Sequence, residues 1–177
     1  MKLVAALSLI ASVTLGITYA YLDIDILLTL TIVFGVIAYH LIMRLLVGLI
    51  YSKIMNNHVD YKKWWFKANK LEMSFYKILK VKKWKGRLPT YDKASFDLKA
   101  HSLEEIASAM CQSELVHETI MILSFLPIIC GIWFHAWLVF IITSVLSALF
   151  DYIFVIVQRY NRQRVVHLIK MQQKHMK

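Results

Sequence analysis

Apolar positions fall into four runs, separated by one acidic turn, one long basic segment and one aromatic turn. Residues 3–22 and 26–51 are nearly unbroken runs, each long enough for a helix to cross a bilayer, which takes about 20 apolar residues. Asp23 and Asp25 fall between them, in a tight turn without Lys or Arg. A third run begins polar at Ser102 and becomes apolar after Glu118. Its span is drawn at 112–134, with a kink expected at Pro127. The last run is 137–157, preceded by an outer turn with Trp133 and Trp137 as interfacial anchors. The pattern predicts an all-α integral membrane four-helix bundle forming one domain over 1–177. A cytoplasmic segment covers 52–111 and a cytoplasmic tail covers 158–177.

Within the cytoplasmic segment, Trp64, Ala68, Leu71, Phe75 and Ile78 recur at three- and four-residue steps against Lys62, Lys63, Lys67, Lys70, Lys77 and Lys80. Lys-rich helices with Trp and Phe on the opposite face lie in the headgroup plane, so an amphipathic interfacial helix is expected, ending by Gly86 and Pro89. Ser102 and Glu105 have the S-x-x-E spacing of a capping box. Residues 3–22 have a rival reading as a signal peptide, with Thr18-Tyr19-Ala20 as a poor cleavage site. The length of the run and the span that follows at once favour an uncleaved helix.

Composition supports this picture. Hydrophobic residues make up 59% of the 177, against about 45–50% in soluble domains. Net charge is +10, and its placement orients the chain: thirteen Lys and Arg lie between Lys53 and Lys99, and six from Arg159 to Lys177. Basic loops stay on the cytoplasmic side, which puts both termini inside a multi-pass cell-membrane protein. Such charge points to anionic headgroups or an anionic substrate before nucleic acid, which is not expected as a partner. Cys111 and Cys130 have no metal or redox spacing and read as reduced packing residues.

The chemistry concentrates at one boundary. Glu114, His117 and Glu118 share a helix face at i, i+3 and i+4 where water gives way to lipid. His40 and Arg44 share a face of the second span, Asp151 lies in the fourth with Arg44 as a candidate partner, and Gln158, Arg159, Asn161 and Arg162 follow. In a four-span topology all fall in the inner leaflet. Three readings compete for the Glu/His cluster: proton transfer, a salt-bridge knot with Arg44 or Arg159 that fixes the bundle, and a metal site using His117, Glu114, Glu118 and His40.

Lys83-Trp84-Lys85 with Leu88-Pro89, Glu114-Leu115-Val116-His117, and Gln158-Arg159-Tyr160-Asn161-Arg162 before Arg164 occur in this order. Over about residues 60–168 they resemble the glycosyl-4,4'-diaponeurosporenoate acyltransferase family. The resemblance implies a membrane O-acyltransferase moving a fatty acyl group to a hydroxyl of a carotenoid glycoside or another glycolipid. The donor would be acyl-CoA or an acyl carrier protein, with no cofactor or metal. His117 would be the general base, with Glu114 or Glu118 orienting it. Arg44, Arg159 and Arg162 would hold donor phosphates or an oxyanion. Trp84 and Tyr160 would line the acyl or sugar site, and His40, Gln158 and Asn161 complete the substrate-binding set. The rival is a non-enzymatic membrane scaffold that binds anionic lipid.

Overall fold

A computed structural model describes residues 1–88 and 94–175, and among them every regular element is helical. The seven α-helices are α1 (Lys2–Leu22), α2 (Asp25–Met55), α3 (Lys70–Ile78), α4 (Val81–Trp84), α5 (Leu103–Leu123), α6 (Gly131–Phe134) and α7 (Trp137–His175). Four stretches are long and apolar enough to cross a membrane: Lys2–Leu22, Asp25–Met55, Leu103–Phe134 and Trp137–His175. Their outer faces leave Leu3, Ile10, Ile17, Leu138, Leu146 and Leu149 exposed. A soluble protein would bury so extended an apolar surface.

The chain divides into two compact units. The first comprises Met1–Ile50 and Thr119–Phe150. Here α1 and α2 meet along small residues. Ala5 and Ser8 are buried, Ser12 Oγ donates to Thr31 O at 2.9 Å, and a Cβ on Gly35 would stand 3.1 Å from Ser12 Oγ. Small side chains let backbones approach where lipid removes any hydrophobic drive to pack. The link between the two helices is a single turn, with Asp23 left-handed at φ 50° and its N–H bonded to Tyr19 O. Ile32, Val36 and Phe140 form the core of this unit.

The expected kink at Pro127 is a full break. α5 ends at Leu123, and Leu126–Cys130 form a 3-10 helix with Pro127 in its first turn. Proline cannot donate to the helix ladder, so the α-helix stops before it. The freed Leu123 carbonyl accepts from Tyr39 Oη at 2.8 Å. His135, at φ 53°, turns the chain from α6 into α7. Trp137 then folds onto Gly131, where an added Cβ would stand 2.5 Å from the indole ring.

The second unit comprises Tyr51–Glu118 and Asp151–Lys177. Its core is Tyr76, Val81, Ile156 and Val157, with Trp84, Leu88 and Tyr160 packed against them. The basic segment is not one helix. A 3-10 turn at Trp64–Phe66 precedes α3, whose start is capped by Asn69 Oδ1 accepting from Glu72 N at 2.7 Å. Lys80 is left-handed at φ 52° and breaks the chain into α4 and a 3-10 turn at Lys85–Arg87. The stripe expected to face lipid is exposed, Trp64 and Ile78 at 76% and Leu71 at 82%, while Tyr76 on the other face is buried. Pro89, expected to end this pattern, lies outside the described residues. The capping box forms: Ser102 N donates to Glu105 Oε2 at 2.8 Å and Glu105 N to Ser102 Oγ at 3.2 Å. α7 carries its apolar run to about residue 157 and continues as one helix to His175, with Ile169 buried beyond that run.

Candidate functional site

In the second unit α5 and α7 run antiparallel. Glu114 of α5 meets Arg159 and Arg162 of α7, and His117, one turn on in α5, meets Asp151 two turns earlier in α7. On α7, Asp151, Phe154, Arg159 and Arg162 are spaced by 3, 5 and 3 residues, so they line one face. The 3-10 turn at Trp64–Phe66 and α3 close the third side.

The three α5 residues share a face, yet they do different work. Glu114 is fully buried. Its Oε1 accepts from Arg159 Nε at 2.6 Å and its Oε2 from Arg162 Nη1. Arg159 also donates from Nη1 to Glu72 at 3.1 Å and from Nη2 to Glu118 at 3.2 Å. One guanidinium on α7 therefore holds three carboxylates from two other helices, Glu72 of α3 and Glu114 and Glu118 of α5. Arg162 is itself buried, sits over the Phe66 ring and donates from Nη2 to Phe66 O at 2.7 Å. Glu118 takes a further bond from Trp65 Nε1 at 3.1 Å. Glu72 accepts from the Tyr76 hydroxyl, and burial followed by this bond pushes the Tyr76 phenol above its ordinary range. The cluster has the form of the salt-bridge knot, centred on Arg159.

His117 stands apart from that knot. Its Nδ1 lies 2.9 Å from Asp151 Oδ1, and its ring stacks on Phe154 with centroids 4.8 Å apart. The carboxylate is 1% exposed and the imidazole 21%. Asp151 rather than Glu114 or Glu118 thus orients the ring, since both glutamates are committed to arginines. A histidine held through Nδ1 by a buried carboxylate presents Nε2 to a partner, the arrangement a general base needs.

The Gln158–Arg162 block is split by helix geometry. Arg159 and Arg162 face the carboxylates, whereas Tyr160 and Asn161 face Lys85: Lys85 Nζ donates to Asn161 Oδ1 and lies 5.1 Å from the Tyr160 ring centre. Trp84 packs in the same core, its Nε1 donating to Leu79 O at 2.9 Å. Gln158 is half-buried on α7. In the first unit, His40 and Arg44 enter a serine network. Ser147 Oγ lies 3.1 Å from His40 Nδ1 and accepts from Arg44 Nη2 at 2.7 Å, and Ser124 Oγ lies 3.0 Å from Ser147 Oγ.

Among the described residues, no three His, Cys, Asp or Glu side chains converge as a metal would require. Glu114 spends both oxygens on guanidinium groups, and Glu118 divides its two between Arg159 and the Trp65 indole. Residues that sequence reasoning missed are Glu72, Trp65 and Phe66, and Lys85, named in a motif, was given no role there. Glu72 carried a signal: it is the one acidic residue between Tyr61 and Tyr91, four positions from the buried Tyr76.

No curated protein and no solved structure matches the chain. A family profile does match, over residues 62–171, which takes in α3, α4, α5 and all of α7 as far as Met171. The matched stretch contains His117, Asp151 and the whole arginine knot. On this match the chain belongs to the glycosyl-4,4'-diaponeurosporenoate acyltransferase family.

Proposed function

We propose that the chain is a multi-pass membrane O-acyltransferase that moves a fatty acyl group onto a sugar hydroxyl of a glycosylated lipid, with a carotenoid glycoside as the acceptor. The observation that carries this reading is the His117–Asp151 pair, a half-buried imidazole held by a buried carboxylate inside the matched stretch. His117 Nε2 takes the proton from the acceptor hydroxyl as its oxygen attacks the acyl carbonyl. When the tetrahedral intermediate collapses, the carbon–sulfur bond of the thioester donor breaks and the proton passes to the departing thiolate. Asp151 holds the imidazole in the useful tautomer and stabilises its charged form. Arg159 and Arg162 serve the reaction indirectly, by fixing α5 against α7. Trp84, Tyr160, Gln158 and Asn161 belong to the substrate side.

The basic loops orient both termini toward the cytoplasm of a cell-membrane protein. α3 then lies in the headgroup plane, its exposed Leu71, Phe75 and Ile78 entering the acyl boundary. A second reading, a scaffold without chemistry, draws on the extent of the ion-pair knot, which would fix a bundle equally well. Replacing His117 by Gln separates the two. The acyltransferase loses its product while the protein stays inserted and abundant, whereas for a scaffold any lost function follows lost protein. Lipid extracts compared by mass supply the readout: a species heavier by one fatty acyl group that depends on His117.

A further inference from the structure

A second charged cluster in the same unit differs from the arginine knot in having no carboxylate partner among the described residues. Lys85 opens the 3-10 turn after α4 and is half-buried. Its ammonium donates to Asn161 Oδ1. An ammonium has only donors, so this bond fixes the amide: the oxygen faces Lys85 and the NH2 faces away, with two donors to offer. Arg164 lies three residues beyond Asn161 and four beyond Tyr160 on α7, hence on the same face, and is exposed. Lys82 lies one turn before Lys85. Among the described residues no carboxylate pairs with Lys82, Lys85 or Arg164. Burial, then Arg164, then Lys82 hold the Lys85 ammonium below its ordinary range, because other cations gather about a half-buried one. The neighbouring Arg159 and Arg162, by contrast, are each matched by Glu114.

We propose that Lys85, Asn161 and Arg164, supported by Lys82, form a binding site for a phosphate group. Lys82, Lys85 and Arg164 can only donate, the Asn161 amide keeps two donors once its oxygen is taken by Lys85, and such a set suits phosphate oxygens. Two sources carry this chemistry: a soluble thioester carrier such as coenzyme A, and the headgroup of an anionic phospholipid. The site does not depend on the His117 chemistry, and a protein without acyltransferase activity would retain it.

The test uses the full chain in nanodiscs. Coenzyme A is added to phosphatidylcholine discs, and separate discs are doped with phosphatidylglycerol. The thermal midpoint reports binding. One of the two probes raises the wild-type midpoint: coenzyme A if the source is soluble, phosphatidylglycerol if it is the headgroup. Arg164 is exposed, so Arg164→Gln folds normally, and it weakens the effective probe about tenfold, the loss of one charge-assisted hydrogen bond. Lys170→Gln, an equal loss of charge at another exposed position of α7, leaves binding as in the wild type. The proposal is overturned if neither probe shifts the wild-type protein, or if Arg164→Gln and Lys170→Gln behave alike.

Discussion

Replacing Glu114 by Gln separates structural from chemical work inside the α5 face. The carboxylate is fully buried and accepts from Arg159 Nε at 2.6 Å and from the buried Arg162. Removing its charge leaves the two guanidinium groups unequal. Arg159 keeps Glu72 and Glu118, at 3.1 and 3.2 Å. Arg162 keeps the Phe66 carbonyl, besides the amide oxygen of the new side chain. Breaking a buried ion pair by removing one partner costs about 3–5 kcal/mol. Gln retains one acceptor, so the low end applies, about 3 kcal/mol. Glu118→Gln, on a half-buried carboxylate whose arginine has two other partners, costs no more than about 1 kcal/mol. Reversible unfolding of the purified protein in mixed micelles measures both. Pairing Glu114→Gln with Arg162→Met recovers part of the loss, because no uncompensated charge remains. If Glu114→Gln is as stable as the wild type yet inactive, Glu114 belongs to the chemistry and the division drawn here is wrong.

Asp151→Asn keeps the shape but removes the charge behind His117, so turnover falls about a hundredfold or more with the protein still folded, as read by product formation per mole of protein. Gly131→Ala drives a methyl into the Trp137 ring, 2.5 Å from its nearest carbon, and lowers stability by about 1–3 kcal/mol in thermal unfolding. Trp137→Leu in the same chain relieves that clash. Lys85 gives a pH signature. Its folded pKa lies below the ordinary 10.5, so between the two values the unfolded chain binds more protons and stability rises with pH. That increment is complete above 10.5 and is lost as pH falls through the folded value. The difference in unfolding free energy between the wild type and Lys85→Met, followed over this alkaline window, therefore grows with pH; a flat difference contradicts the burial of Lys85.

The four apolar runs and the capping box were legible because they rest on local patterns: run length, and a Ser three residues before a Glu. The length of α7 was not, because a fall in hydropathy after residue 157 marks the end of a membrane span and says nothing of whether the helix goes on. The break at Lys80 was also hidden, since a lysine in the left-handed region replaces the glycine that usually announces such a turn. At the site, spacing placed Glu114, His117 and Glu118 on one face but could not say which partner each would meet. That depends on the register of α5 against α7, which turns Arg159 and Arg162 toward Glu114 and leaves Asp151 for His117. The same register divides Gln158–Arg162 between two clusters, so a motif read as one unit serves two ends.

The central claim is that His117, held by Asp151, removes a proton from an acceptor hydroxyl. Purified wild-type and His117→Gln proteins, matched for amount and folded state, are given a glycosylated carotenoid and an acyl thioester, and the product is followed by mass. The account predicts a glycolipid heavier by one acyl group with the wild type and at least a hundredfold less with the variant. Equal product from both would contradict it.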